Sequence, residues 1–163
     1  MGYIDTAETF PVFYNVAHAV GKNAPNKRED VMLVQYLLDW RYKNCQPRAA
    51  VPKGLMKVDG IYGGITQNWI LKFQVDIMLS GYPIQADNRV DRIRDKDSFY
   101  GSLSDTVYTL AWLNWIVSYE EPEAFAKTAL FVPLQNPLDV PPPSNDVVVP
   151  APPPLQIPAV GGL

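Results

Sequence analysis

The stretch Val58-Asp59-Gly60-Ile61-Tyr62-Gly63-Gly64-Ile65-Thr66 constrains this chain more than any other, because so few backbone courses are open to it. Asp-Gly is a turn dipeptide: the carboxylate can accept from backbone N–H groups two residues on, and glycine enters the left-handed region at no steric cost. Gly63-Gly64 is expected to let the backbone fold closely against its neighbours. Thr66 is placed to cap a helix or to sit in its first turn. Ile65, Trp69, Phe73 and Ile77 follow at helical spacing. They predict a helix over about 65–79 with one apolar face, stopped by Gly81.

Two further helices are expected around this one. Asn26-x-x-Glu29 is close to a capping box and predicts a helix over 28–40, with Val31, Val34 and Leu38 inward. Ser104 or Asp105 is placed to cap a helix over 105–119. In that segment Val107, Tyr108, Leu110, Ala111, Trp112, Leu113, Trp115, Ile116 and Val117 leave almost no polar face. A helix apolar all round is buried on several sides, so the arm, the tail or another subunit is expected to cover part of it. Pro122, among Glu120, Glu121 and Glu123, predicts a short further helix that ends before Pro133.

A worn repeat is also visible. Val90-Asp91-Arg92-Ile93 echoes Val58-Asp59-Gly60-Ile61, and Gly101-x-x-Ser104 echoes Gly63-x-x-Thr66. Arg92 stands where the first copy has glycine, which disfavours a left-handed turn, and residues 96–100 intervene. The second turn is therefore expected to be remodelled.

Val58-Asp59-Gly60-Ile61-Tyr62-Gly63-x-x-Thr66 with Phe73-Gln74 resembles the signature of the peptidoglycan-binding-like domain, a small three-helix module. Asp30-Val31-x-x-Val34-Gln35-x-x-Leu38 is similar to that family's first helix, and Val20-Gly21-Lys22-Asn23 to its lead-in. The resemblance covers roughly residues 20–118. It implies a non-catalytic fold that binds cell-wall peptidoglycan beside a hydrolase domain. It also makes Tyr62, Gly63, Gly64 and Thr66 the candidate wall-binding positions. The expected fold class is all-α: an N-terminal arm over 1–19, a peptidoglycan-binding-like helical domain over 20–130, and an extended proline-rich tail over 131–163.

Composition narrows the function. The net charge of −3 argues against a nucleic-acid surface, and the arginines at 89, 92 and 94 are threaded among Asp87, Asp91, Asp95 and Asp97. His18 is the single histidine and Cys45 the single cysteine, so neither a metal cluster nor a nucleophile–base pair is expected; no cofactor is expected either. The carboxylates of Glu120, Glu121 and Glu123 read as helix capping rather than hydrolytic chemistry. No export signal and no membrane-spanning run are expected.

The tail is the second informative feature. Of 16 prolines, ten lie after position 132, among them Pro141-Pro142-Pro143 and Pro152-Pro153-Pro154. Such runs favour extended polyproline II, which at ~3.1 Å per residue would span on the order of 90 Å. Linkers are usually polar, yet the only charges here are Asp139 and Asp146. Val147, Val148, Val149, Leu155 and Ile157 are the expected partner-anchoring residues. Two functions are therefore expected to compete. One is a structural docking component of a large assembly, such as a bacteriophage particle or a contractile injection device, whose partners are other protein subunits. The other is a peptidoglycan-binding module that targets a wall hydrolase. An enzyme is not expected.

Overall fold

The computed structural model describes residues 14–45, 50–94 and 106–127. Residues 1–13 of the arm, the segment 95–105 and the tail, with Val147, Val148, Val149, Leu155 and Ile157, lie outside the described residues. The described chain is mostly helical with one small sheet. The elements run β1 (Val20–Gly21), α1 (Arg28–Lys43), α2 (Gly64–Leu79), β2 (Arg89–Val90), α3 (Thr109–Glu120) and α4 (Pro122–Ala126). Helix α1 packs against α3 and against α2, while α4 packs against α3. Strands β1 and β2 pair antiparallel, Val20 opposite Val90 and Gly21 opposite Arg89.

The helices form where apolar residues recur, but their ends differ from expectation. Helix α1 begins at Arg28 without any side-chain cap. Asn26 does not close a capping box: it sits in the left-handed region and turns back on the preceding loop. Its Oδ1 accepts from the Gly21 N–H at 2.7 Å, and its Nδ2 donates to the carbonyls of Gly21 and Ala24. Asparagine tolerates this conformation because its short side chain bonds locally. Helix α3 starts at Thr109 with Tyr108 at its N-cap position, and the expected caps Ser104 and Asp105 lie outside the described residues. Pro122 does occupy the first turn of α4, where its missing N–H costs nothing.

The core is one cluster built from α1, α2, α3 and the strands. Trp69, Phe73 and Ile77 of α2 are buried in it together with Ile70, whereas Ile65 is exposed. The inward face of α2 therefore runs through Thr66 rather than Ile65. Helix α3 is covered within the chain, with Leu110, Trp112, Leu113, Ile116 and Val117 all buried.

Part of that cover is the arm. Asn114, the polar residue in the middle of apolar α3, accepts from the Tyr14 N–H at 2.6 Å and donates to the Tyr14 carbonyl at 2.9 Å. The Tyr14 ring meets Phe125 of α4 edge-on, with centroids 5.0 Å apart. Asn15 exchanges two hydrogen bonds with the backbone of Ile93. The buried carboxylate of Asp30 accepts from the N–H groups of Ala17 and His18 and faces His18 Nδ1 at 3.3 Å. His18 thus serves to fasten the arm. Two side chains, Asn114 and Asp30, hold residues 14–18 by pairing with their backbone groups, and Asn15 pairs its own side chain with the backbone of Ile93.

Candidate functional site

Two glutamines, one on α1 and one on α2, each grip a turn and the start of the following helix. In the first grip, Gln35 Oε1 accepts from the Gly60 N–H at 2.9 Å. Gln35 Nε2 faces Asp59 Oδ1, the Ile61 carbonyl and Thr66 Oγ1 at 3.0–3.1 Å. Asp59 Oδ1 also accepts from the Ile61 N–H, and the Thr66 hydroxyl donates to the Ile61 carbonyl. Gly60 is left-handed, at φ 76°, and a Cβ there would fall 2.4 Å from Arg28 Cγ and 2.8 Å from the Arg28 carbonyl oxygen. Only glycine meets both demands.

The second grip repeats the glutamine's contacts in the first. Gln74 Oε1 accepts from the Asn88 N–H at 2.8 Å. Its Nε2 faces Asp87 Oδ1, the Arg89 carbonyl and Thr109 Oγ1 at 2.8–3.2 Å. Asp87 Oδ1 accepts from the Arg89 N–H, as Asp59 does from Ile61. Asn88 takes the place of Gly60, at φ 63°. The expected repeat at Val90-Asp91-Arg92-Ile93 is therefore corrected: the second turn is Asp87-Asn88-Arg89. It is not remodelled by Arg92, because asparagine supplies the left-handed residue. The helices carry the same repeat, Val31, Val34, Gln35 and Leu38 matching Ile70, Phe73, Gln74 and Ile77, all buried.

The candidate wall-binding residues are distributed around these grips. Thr66 is buried, and its hydroxyl is committed to Gln35 and Ile61. Tyr62 is half-buried and donates from its hydroxyl to Asn88 Oδ1 at 3.4 Å, so it ties one turn to the other. Burial raises its pKa. Gly63 and Gly64 are exposed, and a Cβ on either would meet nothing within 4 Å. The close approach expected of them belongs instead to Gly60 and to Gly21, where a Cβ would lie 2.2 Å from the Asn88 carbonyl oxygen. The Asp59 carboxyl is held below its usual value, chiefly by the Ile61 N–H and next by Gln35.

A half-open cleft of about 480 Å³ adjoins the second turn, with Asp87, Arg89, Asp91, Arg92, Arg94 and Tyr108 in its wall. Arg89 Nε donates to Asp91 Oδ1 at 2.7 Å. Among the described residues no group of three His, Cys, Asp or Glu side chains is placed to hold a metal ion. Nor is any described helix long and apolar enough to cross a membrane. Cys45 is buried near the end of α1, and burial pushes its thiol up to about 12, with Arg41 opposing.

A different surface stands out by its lack of chemistry. The outward side of α2 carries Ile65, Leu71, Met78 and Leu79, all exposed, with Val75 half-buried and the polar Gln67, Asn68 and Lys72 among them. The loop before it adds Val51, Leu55 and Ile61, of which Leu55 and Ile61 are each 68% exposed. No protein-family model, curated protein or solved structure matches the chain.

Proposed function

We propose that this protein is a non-catalytic docking component of a large assembly, such as a bacteriophage particle or a contractile injection device, that engages other protein subunits. The observation that carries the proposal is the apolar outer surface of α2 and the loop before it. Exposed apolar side chains gathered on one side of a folded domain mark an interaction site. The polar side chains of the two grips, by contrast, are consumed in holding backbone and offer little to a substrate. The test is co-sedimentation of the full chain with the particle from an infected or producing cell. Loss of the chain from the particle on Leu71→Asp with Met78→Asp supports the proposal; unchanged occupancy refutes it.

A second reading is a peptidoglycan-binding module that brings a wall hydrolase to its substrate. It is favoured by the intact second turn at Asp87-Asn88-Arg89, since the resembled family has two such halves. The cleft beside that turn gives it a place for a polar ligand. Saturable retention of the purified chain on insoluble cell-wall sacculi, lost on Arg89→Ala, would favour this reading over the first.

A further inference from the structure

We propose that the groove on α3 around Asn114 is an acceptor site for an extended chain segment, filled by residues 14–16 of the same copy in the monomer and of a second copy in an arm-exchanged dimer. The inference is independent of both readings above, neither of which uses the arm.

Asn114 is the third member of the series that Gln35 and Gln74 begin. Leu110, Leu113, Asn114 and Val117 of α3 repeat the spacing of Val31, Val34, Gln35 and Leu38 in α1 and of Ile70, Phe73, Gln74 and Ile77 in α2, and each of them is at most 1% exposed. Each amide accepts one backbone N–H, from Gly60, Asn88 and Tyr14 in turn, and each donates to a backbone carbonyl there. Gln35 of α1 holds the turn that leads into α2, and Gln74 of α2 holds the turn towards α3. Asn114 of α3 holds the segment that leads back to α1, so the series closes on itself.

The structure shows what the groove selects, because the arm is seated in it. Asn114 binds both backbone groups of Tyr14, and the Ile93 backbone pairs with the Asn15 amide. Val16 is 1% exposed, and the Tyr14 ring lies edge-on to Phe125. An occupant must therefore present an aromatic side chain, an amide and a small apolar side chain on successive residues of extended backbone. Tyr14-Asn15-Val16 does so, and every copy of the chain carries it.

Connectivity makes this third grip the exchangeable one. Gln35 and Gln74 hold residues 25 and 14 positions away, on loops tied at both ends to the packed core. A neighbour cannot supply such a loop without unfolding the helices beside it. Asn114 holds a residue 100 positions away. Among the described residues, 14–16 precede every helix and strand, and they join the domain through a bend at 17–18 whose N–H groups stay on Asp30 of α1. Opening between Val16 and Ala17 frees the arm, leaves all four helices in place and strips the buried Asn114 of its Tyr14 partner. A buried polar group without its partner is costly, so the groove takes up the nearest arm, and at high concentration that arm belongs to a neighbour. Exchange in both directions is isologous and closes at two copies.

Sedimentation velocity of the full chain over a range of concentrations tests this, with circular dichroism to verify helicity. The wild type is expected to pass from monomer to dimer and no further as concentration rises. A synthetic peptide of residues 10–18, in excess, should compete for the groove and return the dimer to monomer. Tyr14→Asp with Val16→Asp spoils the arm and keeps the groove, while Asn114→Leu spoils the groove and keeps the arm. Each variant alone is expected to be monomeric, with dimer affinity weakened by about a hundredfold or more, whereas an equimolar mixture should form a 1:1 dimer. A wild type that stays monomeric, a dimer that the peptide leaves intact, or a mixture of folded variants that stays monomeric overturns the inference. So does an Asn114→Leu chain that dimerises as the wild type does, which would place the contact elsewhere, as on the outer side of α2. The wild-type and peptide measurements alter no residue, so the test survives a variant that fails to fold.

Discussion

The two glutamine grips use the same atoms but stand in different surroundings. Around Gln35 the turn is driven against a helix: Gly60 lies so close to Arg28 and Met32 of α1 that no side chain fits. Around Gln74 the equivalent residue is Asn88, which has room for a side chain and uses it to accept from Tyr62. The comparison separates two requirements that a glycine usually hides. Left-handed backbone is needed in both turns; space is needed only in the first. Helix α2 belongs to both, receiving Gln35 at Thr66 and presenting Gln74 to Thr109, so the two halves are joined through one rigid element.

The largest effect should come from removing either glutamine. Gln35→Ala orphans the buried Gly60 N–H and frees Thr66; Gln74→Ala orphans the Asn88 N–H and frees Thr109. Each is expected to cost about 2–4 kcal/mol in urea denaturation. A loss under about 1 kcal/mol for either would show that its turn is held by something else.

Next in size, substitutions at the left-handed residues should break the symmetry. Gly60→Val is expected to destabilise by more than about 2 kcal/mol, since it adds both strain and a clash with backbone. Asn88→Gly keeps the conformation and loses one long hydrogen bond, so thermal melts should show under about 1 kcal/mol. Equal losses at the two positions would mean that space does not distinguish the turns.

A smaller effect concerns pH. The folded Asp59 carboxyl is depressed by its two N–H partners. Its contribution is therefore complete at neutral pH, above the usual carboxylate value, and is lost as pH falls through the lower folded value. Asp59→Asn should flatten the acid limb of the stability curve, measured by urea midpoints at successive pH values. An acid limb identical to that of the wild type would show that Asp59 does not drive it.

The smallest perturbation uses Cys45 as a reporter. Its thiol is buried and pushed up to about 12, so it should not react with Ellman's reagent at neutral pH while the domain is folded. It should become reactive in Gln74→Ala if loss of the Thr109 contact loosens α3, against whose Ile116 carbonyl the sulfur rests at 4.0 Å. An unreactive thiol in that variant would place the loosening elsewhere.

The three main helices and the Asp59-Gly60 turn are legible in the residues alone, because period and turn chemistry are local properties. The second turn is legible only if asparagine is admitted as a left-handed residue. Matching the Val-Asp-x-Ile pattern of the first turn selects Val90-Asp91-Arg92-Ile93 and passes over Asp87-Asn88-Arg89. The glutamines recur within matching apolar patterns, yet nothing local says that their amides are buried; that depends on which loop arrives opposite them. Asn26 looks like a cap for the same reason. Its spacing to Glu29 fits, but Gly21 competes for its side chain and wins with three hydrogen bonds to the loop. Ile65 fits the helical period, yet it lies before the point at which α2 meets the core.

The clamp between Asn114 and Tyr14 joins residues a hundred positions apart. On a ribosome the arm emerges first, and Asp30 of α1 can take the N–H groups of Ala17 and His18 early, but the Asn114 clamp on Tyr14 does not exist until α3 has been made. The Gln35 grip, by contrast, can close as soon as Thr66 is out. Nascent chains are therefore expected to spend a period with α1 and α2 docked and Tyr14 not yet clamped, exposed to chaperones. Contacts of such long separation form late. Pulse-labelled hydrogen exchange during refolding should find the Tyr14 amide protected after that of Gly60, and the reverse order would show that the arm guides the fold instead of sealing it.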